Sequence, residues 1–126
     1  MQAQPLPVQW HGKLAVVTPP EEIDMSNGIA VQEGLRSALS QRPAALVVDM
    51  TPTIFCHSAG VRAVMLTHRE AADAGCEVRL VISSPGVMRV FSIIGADQLA
   101  EVHSGLASAL HATAAQGPDA NGSNGT

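Results

Sequence analysis

Residues 44–62 constrain the fold of this chain more than any other stretch. They open with an apolar run, Ala44 to Val48, that no polar residue interrupts. A run without alternation predicts a strand buried on both faces, at the centre of a sheet. Asp49, Thr51 and Pro52 then bring the strand to a loop. Ser58 follows as a helix N-cap residue, and a helical pattern begins behind it. A short hydroxyl side chain is thus expected where a buried strand hands over to a helix. In open α/β sheets the carboxyl ends of the strands are where ligands and partners are met. The start of a helix adds unpaired N–H groups and a partial positive charge, which favour a phosphate on or beside that hydroxyl.

The 126 residues suffice for one domain with a real core, and 46% of them are apolar. Two Phe, one Trp and no Tyr make that core aliphatic. With a net charge of −4 and no run of Lys or Arg, the chain lacks the basic footprint of nucleic-acid binding. It also lacks the aromatic platforms that single strands stack on, so no nucleic-acid partner is expected. No signal-peptide pattern opens the chain, and no segment approaches the roughly 18 apolar residues of a membrane span. A cytoplasmic protein is expected, with no membrane contact and with Cys56 and Cys76 as reduced thiols. Cys56, His57, His68 and Cys76 could be drawn together on paper as metal ligands. Their spacings match no zinc pattern, and neighbours in sequence seldom face one ion. Neither a metal nor a cofactor is expected. Paired carboxylates and a catalytic triad order are also missing, so the chain does not read as an enzyme.

Residues 1–7 and 113–126 read as flexible termini, leaving a single domain over 8–112. Residues 8–11 alternate and predict an edge strand, which Gly12 and Lys13 turn into a second strand over 14–18. Pro19 to Asp24 reads as a rigid polar link. Ser26 and Asn27 are candidate caps of a first helix, whose stripe is Val31, Leu35, Ala38 and Leu39. Arg42 and Pro43 close it. A second helix is expected from about 59 to 74, with Val61, Val64, Met65, His68 and Ala72 on one face and Gly75 after it. Residues 76–82 suit a strand, and Ser83, Ser84 and Pro85 a helix start. Val87, Val90, Phe91 and Ile94 form the stripe of that third helix, which Gly95 ends. A short strand over 99–103 and a helix begun by Ser104, carrying Leu106, Ala107 and Leu110, complete the order. Strands alternating with helices predict an α/β fold with a mostly parallel sheet of four to five strands, an N-terminal antiparallel hairpin and about four helices.

Residues 46–50, a short gap and then Phe55-Cys56-His57-Ser58-Ala59-Gly60-Val61 resemble the signature of the STAS domain. That is the fold of bacterial anti-sigma-factor antagonists and of the cytoplasmic tails of sulfate transporters. The family pattern is a strand ending in Asp, then Phe-x-Asp-Ser-Ser/Thr-Gly-Leu opening a helix. Glu22-Ile23-Asp24 resembles the family's Glu-Leu-Asp, and residues 84–91 its Ser/Pro-x-Val-x-Arg-Val/Leu-Phe. Gly95-Ala96-Asp97-Gln98-Leu99 is similar to its Gly-Leu-Asp-Lys-Leu. These motifs stand in family order over about 8–110.

The resemblance implies a regulator that works by protein contact. An anti-sigma factor antagonist binds an anti-sigma factor, often a serine kinase, and frees the sigma factor. The kinase phosphorylates a serine at the start of the second helix, and the added charge of roughly −1.5 to −2 breaks the complex. Position by position, the family acceptor falls on Ala59, which has no hydroxyl; Ser58 stands one residue earlier and His57 replaces the usual Asp. Two readings follow, a switch fixed in its unphosphorylated form or Ser58 as acceptor in a shifted register. Ser58 can also serve as a cap alone. Asp24, His57, Ser58, Ala59, Gly60 and Arg62 are the expected partner-binding residues, with Asp24 near the loop and Gly60 allowing close backbone approach. His57 could donate to a phosphate or respond to pH. The alternative function is a small-ligand or nucleotide-sensing module, although no glycine-rich phosphate loop is present.

Overall fold

Residues 6–115 are described by the structure, a computed structural model. The expected flexible termini lie for the most part outside the described residues. β1 (Val8–His11) and β2 (Leu14–Val17) form the antiparallel hairpin, turned at Gly12 with a φ of 62° that an L side chain resists. After them come β3 (Glu22–Ile23), α1 (Gly28–Leu39), β4 (Ala45–Asp49), β5 (Phe55–Cys56) and α2 (Ser58–Asp73). β6 (Glu77–Val81), α3 (Pro85–Ile94), a 3-10 turn (Ala96–Gln98), β7 (Glu101–His103) and α4 (Leu106–Ala115) complete the described residues. The main sheet runs β1-β2-β4-β6-β7, and every pair after the first is parallel. The fold is the expected α/β class, with β4 central and all five of its residues buried.

Strand alternation divides the core in two. Ala15, Leu46 and Val78 stand in one row across the sheet, Val17, Val48 and Leu80 in the next. Both rows pack against Val31 and Leu35 of α1, Val61 and Val64 of α2, and Phe91 of α3. On the opposite face α4 covers Val16, Val47 and Val81 with Ala109, Leu106 and Leu110. Among the described residues three helices therefore shield one side of the sheet and a single helix the other.

Three expectations are corrected. Residues 19–24 are more than a link, because Glu22 and Ile23 form a strand and Ile23 is fully buried. The inner face of α2 is rotated: Thr67 and Ala71 are buried where His68 and Ala72 were expected, and Thr67 satisfies its hydroxyl by donating to the Ala63 carbonyl at 2.9 Å. The last strand begins at Glu101, since residues 96–98 make a 3-10 turn. The third helix follows its sequence at both ends, although Ile94, expected on its apolar stripe, is left exposed. Ser84 Oγ accepts from the Val87 N–H at 3.3 Å, Pro85 opens the first turn, and Gly95 closes the last at φ 89°.

Arg79 is a surprise of a different kind. It lies beside Val47 in the register, on the face that α4 covers, and its side chain is fully buried. Nη2 donates to Glu77 Oε1. Nε lies 3.3 Å from Glu101 Oε1, in ion-pair contact but off the line of its N–H. Nη1 has no hydrogen-bond partner among the described residues. Glu101 is held from its other side by His103 Nε2 at 2.8 Å.

Candidate functional site

The loop leaving β4 is fixed by hydrogen bonds near and far. Asp49 Oδ1 accepts from both the backbone N–H (3.1 Å) and the hydroxyl (2.8 Å) of Thr51, which turns the chain at the strand end. The buried Thr53 hydroxyl donates to the Pro20 carbonyl at 2.9 Å, across 33 residues of sequence. The N–H groups of Ile54 and Phe55 both donate to the Glu21 carbonyl, and that of His57 donates to the Ile23 carbonyl at 2.7 Å. β5 thereby pairs in parallel with β3, Glu22 opposite Phe55 and Ile23 opposite Cys56. This two-stranded platform carries the start of α2.

The cap of α2 is His57, a correction to the expectation for Ser58. His57 has the extended backbone of an N-cap residue, and its Nδ1 accepts from the Ala59 N–H at 3.0 Å. The ring is then an acceptor at Nδ1, and its proton sits on Nε2. Ser58 is the first helical residue and is exposed, with Oγ 3.5 Å from His57 Nδ1, too long to engage it. Its hydroxyl is available at a helix start. His57→Ala should cost about 1 kcal/mol, and Ser58→Ala much less, when urea midpoints are compared. Equal losses would return the cap to Ser58.

Ala59 and Ser58 face different neighbours. A Cβ built on Gly28, the first residue of α1, would lie 3.4 Å from the Ala59 Cβ, so Ala59 packs toward that helix start. Ser58 instead opens onto a groove that also holds Arg62. Gly60 sits closer still to its surroundings: a Cβ there would stand 2.5 Å from Ile23 Cγ2 and 2.8 Å from Cys56 Sγ. The close approach at Gly60 is therefore internal and seats α2 on the platform, where approach by a partner was expected.

Asp24 stands at the edge of the same platform and is occupied locally. Its Oδ1 accepts from the hydroxyl (2.6 Å) and the N–H (2.9 Å) of Ser26, and these bonds lower its pKa. Asn27 Oδ1 accepts from the Asp24 N–H, and its Nδ2 donates to the Glu22 carbonyl. Asn27 is the N-cap residue of α1 by position, yet its side chain serves this turn and no N–H of the helix. Asp24 makes no hydrogen bond to Ser58 among the described residues. It shapes the turn beside the site.

Burial pushes the Cys56 thiol from its ordinary 9.0 up to about 11. An unfolded chain ionises this thiol near 9.0 and the folded one near 11, so its contribution to stability is present below pH 9 and is lost as pH rises through that window. At pH 8 iodoacetamide should leave Cys56 unmodified in the native protein and label it at once in urea. Fast native labelling, read by mass spectrometry, would contradict this burial. Among the described residues no group of three or more His, Cys, Asp or Glu could hold a metal ion.

Reading the sequence missed the apolar rim. Met25 and Ile29 flank the start of α1, Ile54 and Phe55 lead into β5, and they are 76%, 73%, 64% and 51% exposed. They lie on the segments that leave β3 and enter its partner β5, and exposed apolar side chains of this size suit an interaction surface. Ile29 gave a signal, since it falls off the buried stripe of α1; Ile54 and Phe55 sit in a segment too short to show a period.

The family model described as the STAS domain matches residues 6–109. Among solved structures, an anti-sigma factor antagonist from Mycobacterium paratuberculosis superimposes with a TM-score of 0.80 at 25% identity, covering 86% of this chain and 92% of that one. RsbS from Moorella thermoacetica gives a TM-score of 0.74 at 21% identity over 86% and 94% of the two chains. The anti-sigma factor antagonist SpoIIAA in its unphosphorylated form gives 0.71 at 20% identity over 92% and 99%. No curated protein matches the sequence at a significant level. No helix among the described residues is long and apolar enough to cross a membrane.

Proposed function

Because this chain belongs to the STAS domain family, we propose that it acts in the cytoplasm as an anti-sigma factor antagonist, binding an anti-sigma factor and so releasing a sigma factor. The observation that carries this reading is the exposed start of α2, where Ser58 stands free and the apolar rim of Met25, Ile29, Ile54 and Phe55 lies on the adjoining segments. Exposed apolar residues on segments beside an exposed hydroxyl suit a protein partner that a single charge can dislodge. Ser58 is the acceptor in this proposal, one residue before the family position. Ala59 has no hydroxyl, and its methyl is turned to Gly28. A phosphate on Ser58 would meet the N–H groups of the first turn and, one turn on, Arg62.

A tagged chain drawn from its native lysate tests the proposal. Mass spectrometry should identify an anti-sigma factor of the serine-kinase type and phosphate on Ser58. The same partner with no phosphate on residues 37–62 would leave an antagonist that is permanently active. Absence of any anti-sigma factor would end the proposal.

A further inference from the structure

A groove of about 780 Å³ follows α2 from Ser58 to Ala72, and Ile94 and Leu99 form its other wall. At 1.5 Å of rise per residue that stretch of α2 advances ~21 Å. The lining is mostly apolar, interrupted by His68 and two arginines: Met65 is half-buried, while Ile94 and Leu99 are left 41% and 53% exposed. Arg62 and Arg69 stand along it seven positions apart, about two helical turns or ~10.5 Å. Both are exposed, and neither has an ion pair among the described residues. Arg36, by contrast, is held by Glu70 at 3.2 Å, and Arg79 by Glu77 and Glu101. On a chain of net charge −4, a groove with two unpaired guanidinium groups is a local reversal of sign.

We propose that this groove docks an acidic amphipathic helix of a partner protein. The apolar stripe of that helix lies on Met65, Ile94 and Leu99, and two of its carboxylates, one heptad apart, face Arg62 and Arg69. Length and charge together select this occupant. A compact anion would engage one arginine and leave most of the ~21 Å of apolar lining in water, whereas a helix of about four turns spans it and presents acidic groups at the matching interval. The surface differs from the rim of Met25, Ile29, Ile54 and Phe55, shares Ser58 and Arg62 with the proposed switch, and needs no phosphorylation.

The test is a display selection of helical peptides of about 15 residues, randomised on their surface, against the full chain. Enriched sequences should carry an apolar stripe with Asp or Glu at positions i and i+7. Their binding should fall at least ~10-fold on Arg62→Glu/Arg69→Glu, and equally when their acidic positions are changed to Lys. Arg62→Gln/Arg69→Gln serves the same purpose should the double reversal alter the thermal midpoint. No enrichment, enrichment of basic or uncharged helices, or binding indifferent to these changes would overturn the proposal. A chain that selects acidic helices yet captures no anti-sigma factor keeps the groove and loses the function proposed above; the converse result does the reverse.

Discussion

Gly60→Ala should destabilise the protein by about 1–2 kcal/mol, although the same change in an open helical position stabilises. Two opposing effects are summed in that figure. Alanine in place of glycine gains up to ~1 kcal/mol of helix propensity, and overpacking a fitted site costs about 1–3 kcal/mol. Overpacking wins because the new Cβ would stand 2.5 Å from Ile23 Cγ2, which hangs on a stiff β-branched side chain, and 2.8 Å from Cys56 Sγ. Neither atom has room to retreat, since Ile23 is fully buried and Cys56 nearly so. Gly86, in the first turn of α3, is the control: its nearest neighbour to an added Cβ is Ser84 Oγ at 3.7 Å. Gly86→Ala should therefore stabilise by a few tenths to ~1 kcal/mol. Urea melts of both variants decide the matter. A double-mutant cycle with Ile23→Ala should show less than additive loss, because removing Cγ2 opens the space the methyl needs. Additive losses would mean that the contact is not the cause.

Ser58→Asp should weaken binding to the anti-sigma factor by ~10–100-fold while Ser58→Ala binds like the unmodified chain. Folding cannot account for that difference. A carboxylate in the first helical turn interacts favourably with the helix dipole, worth about 0.3–1 kcal/mol, and Arg62 one turn on adds ~0.3–0.5 kcal/mol. The Asp variant should thus melt no lower than the parent even as its binding falls. Calorimetric titration of both variants, beside their thermal midpoints, separates the two effects. Equal affinity of the Asp and Ala variants would remove Ser58 from the switch.

The main features of this fold were legible in the sequence wherever a pattern ran long enough to have a period. Ala44 to Val48 could only be a central strand, and Ser84, Pro85 and Gly95 bracketed α3 by rules of local chemistry. What escaped was short or unusual. β3 and β5 are two residues each, below any period, and they form only because Thr53 and Phe55 reach back to carbonyls at Pro20 and Glu21. His57 took the cap because an imidazole nitrogen can reach the N–H two residues on, a role for which a hydroxyl was the obvious candidate. Thr67 entered the core because its hydroxyl is satisfied within the helix, so that residue type alone misplaced the face of α2 by one position. The proposed site divides likewise: Ser58 and Arg62 could be picked out from their places around the helix start, whereas the exposure of Met25, Ile29, Ile54 and Phe55 follows from how β3 and β5 are set and carries no period.

Arg79 acts as a proofreader of the last strand pairing. In the observed register it faces Glu101, and Leu80 and Val81 fall opposite Val102 and His103. Slide β7 by one residue and Val102 arrives opposite Arg79 while its second carboxylate partner leaves. The cation would then sit beneath α4 with Glu77 alone, and an under-compensated buried charge costs several kcal/mol. The same slip would turn the apolar side of β7 away from the core. A three-residue strand has few hydrogen bonds with which to choose its alignment. The buried guanidinium makes the wrong alignments expensive.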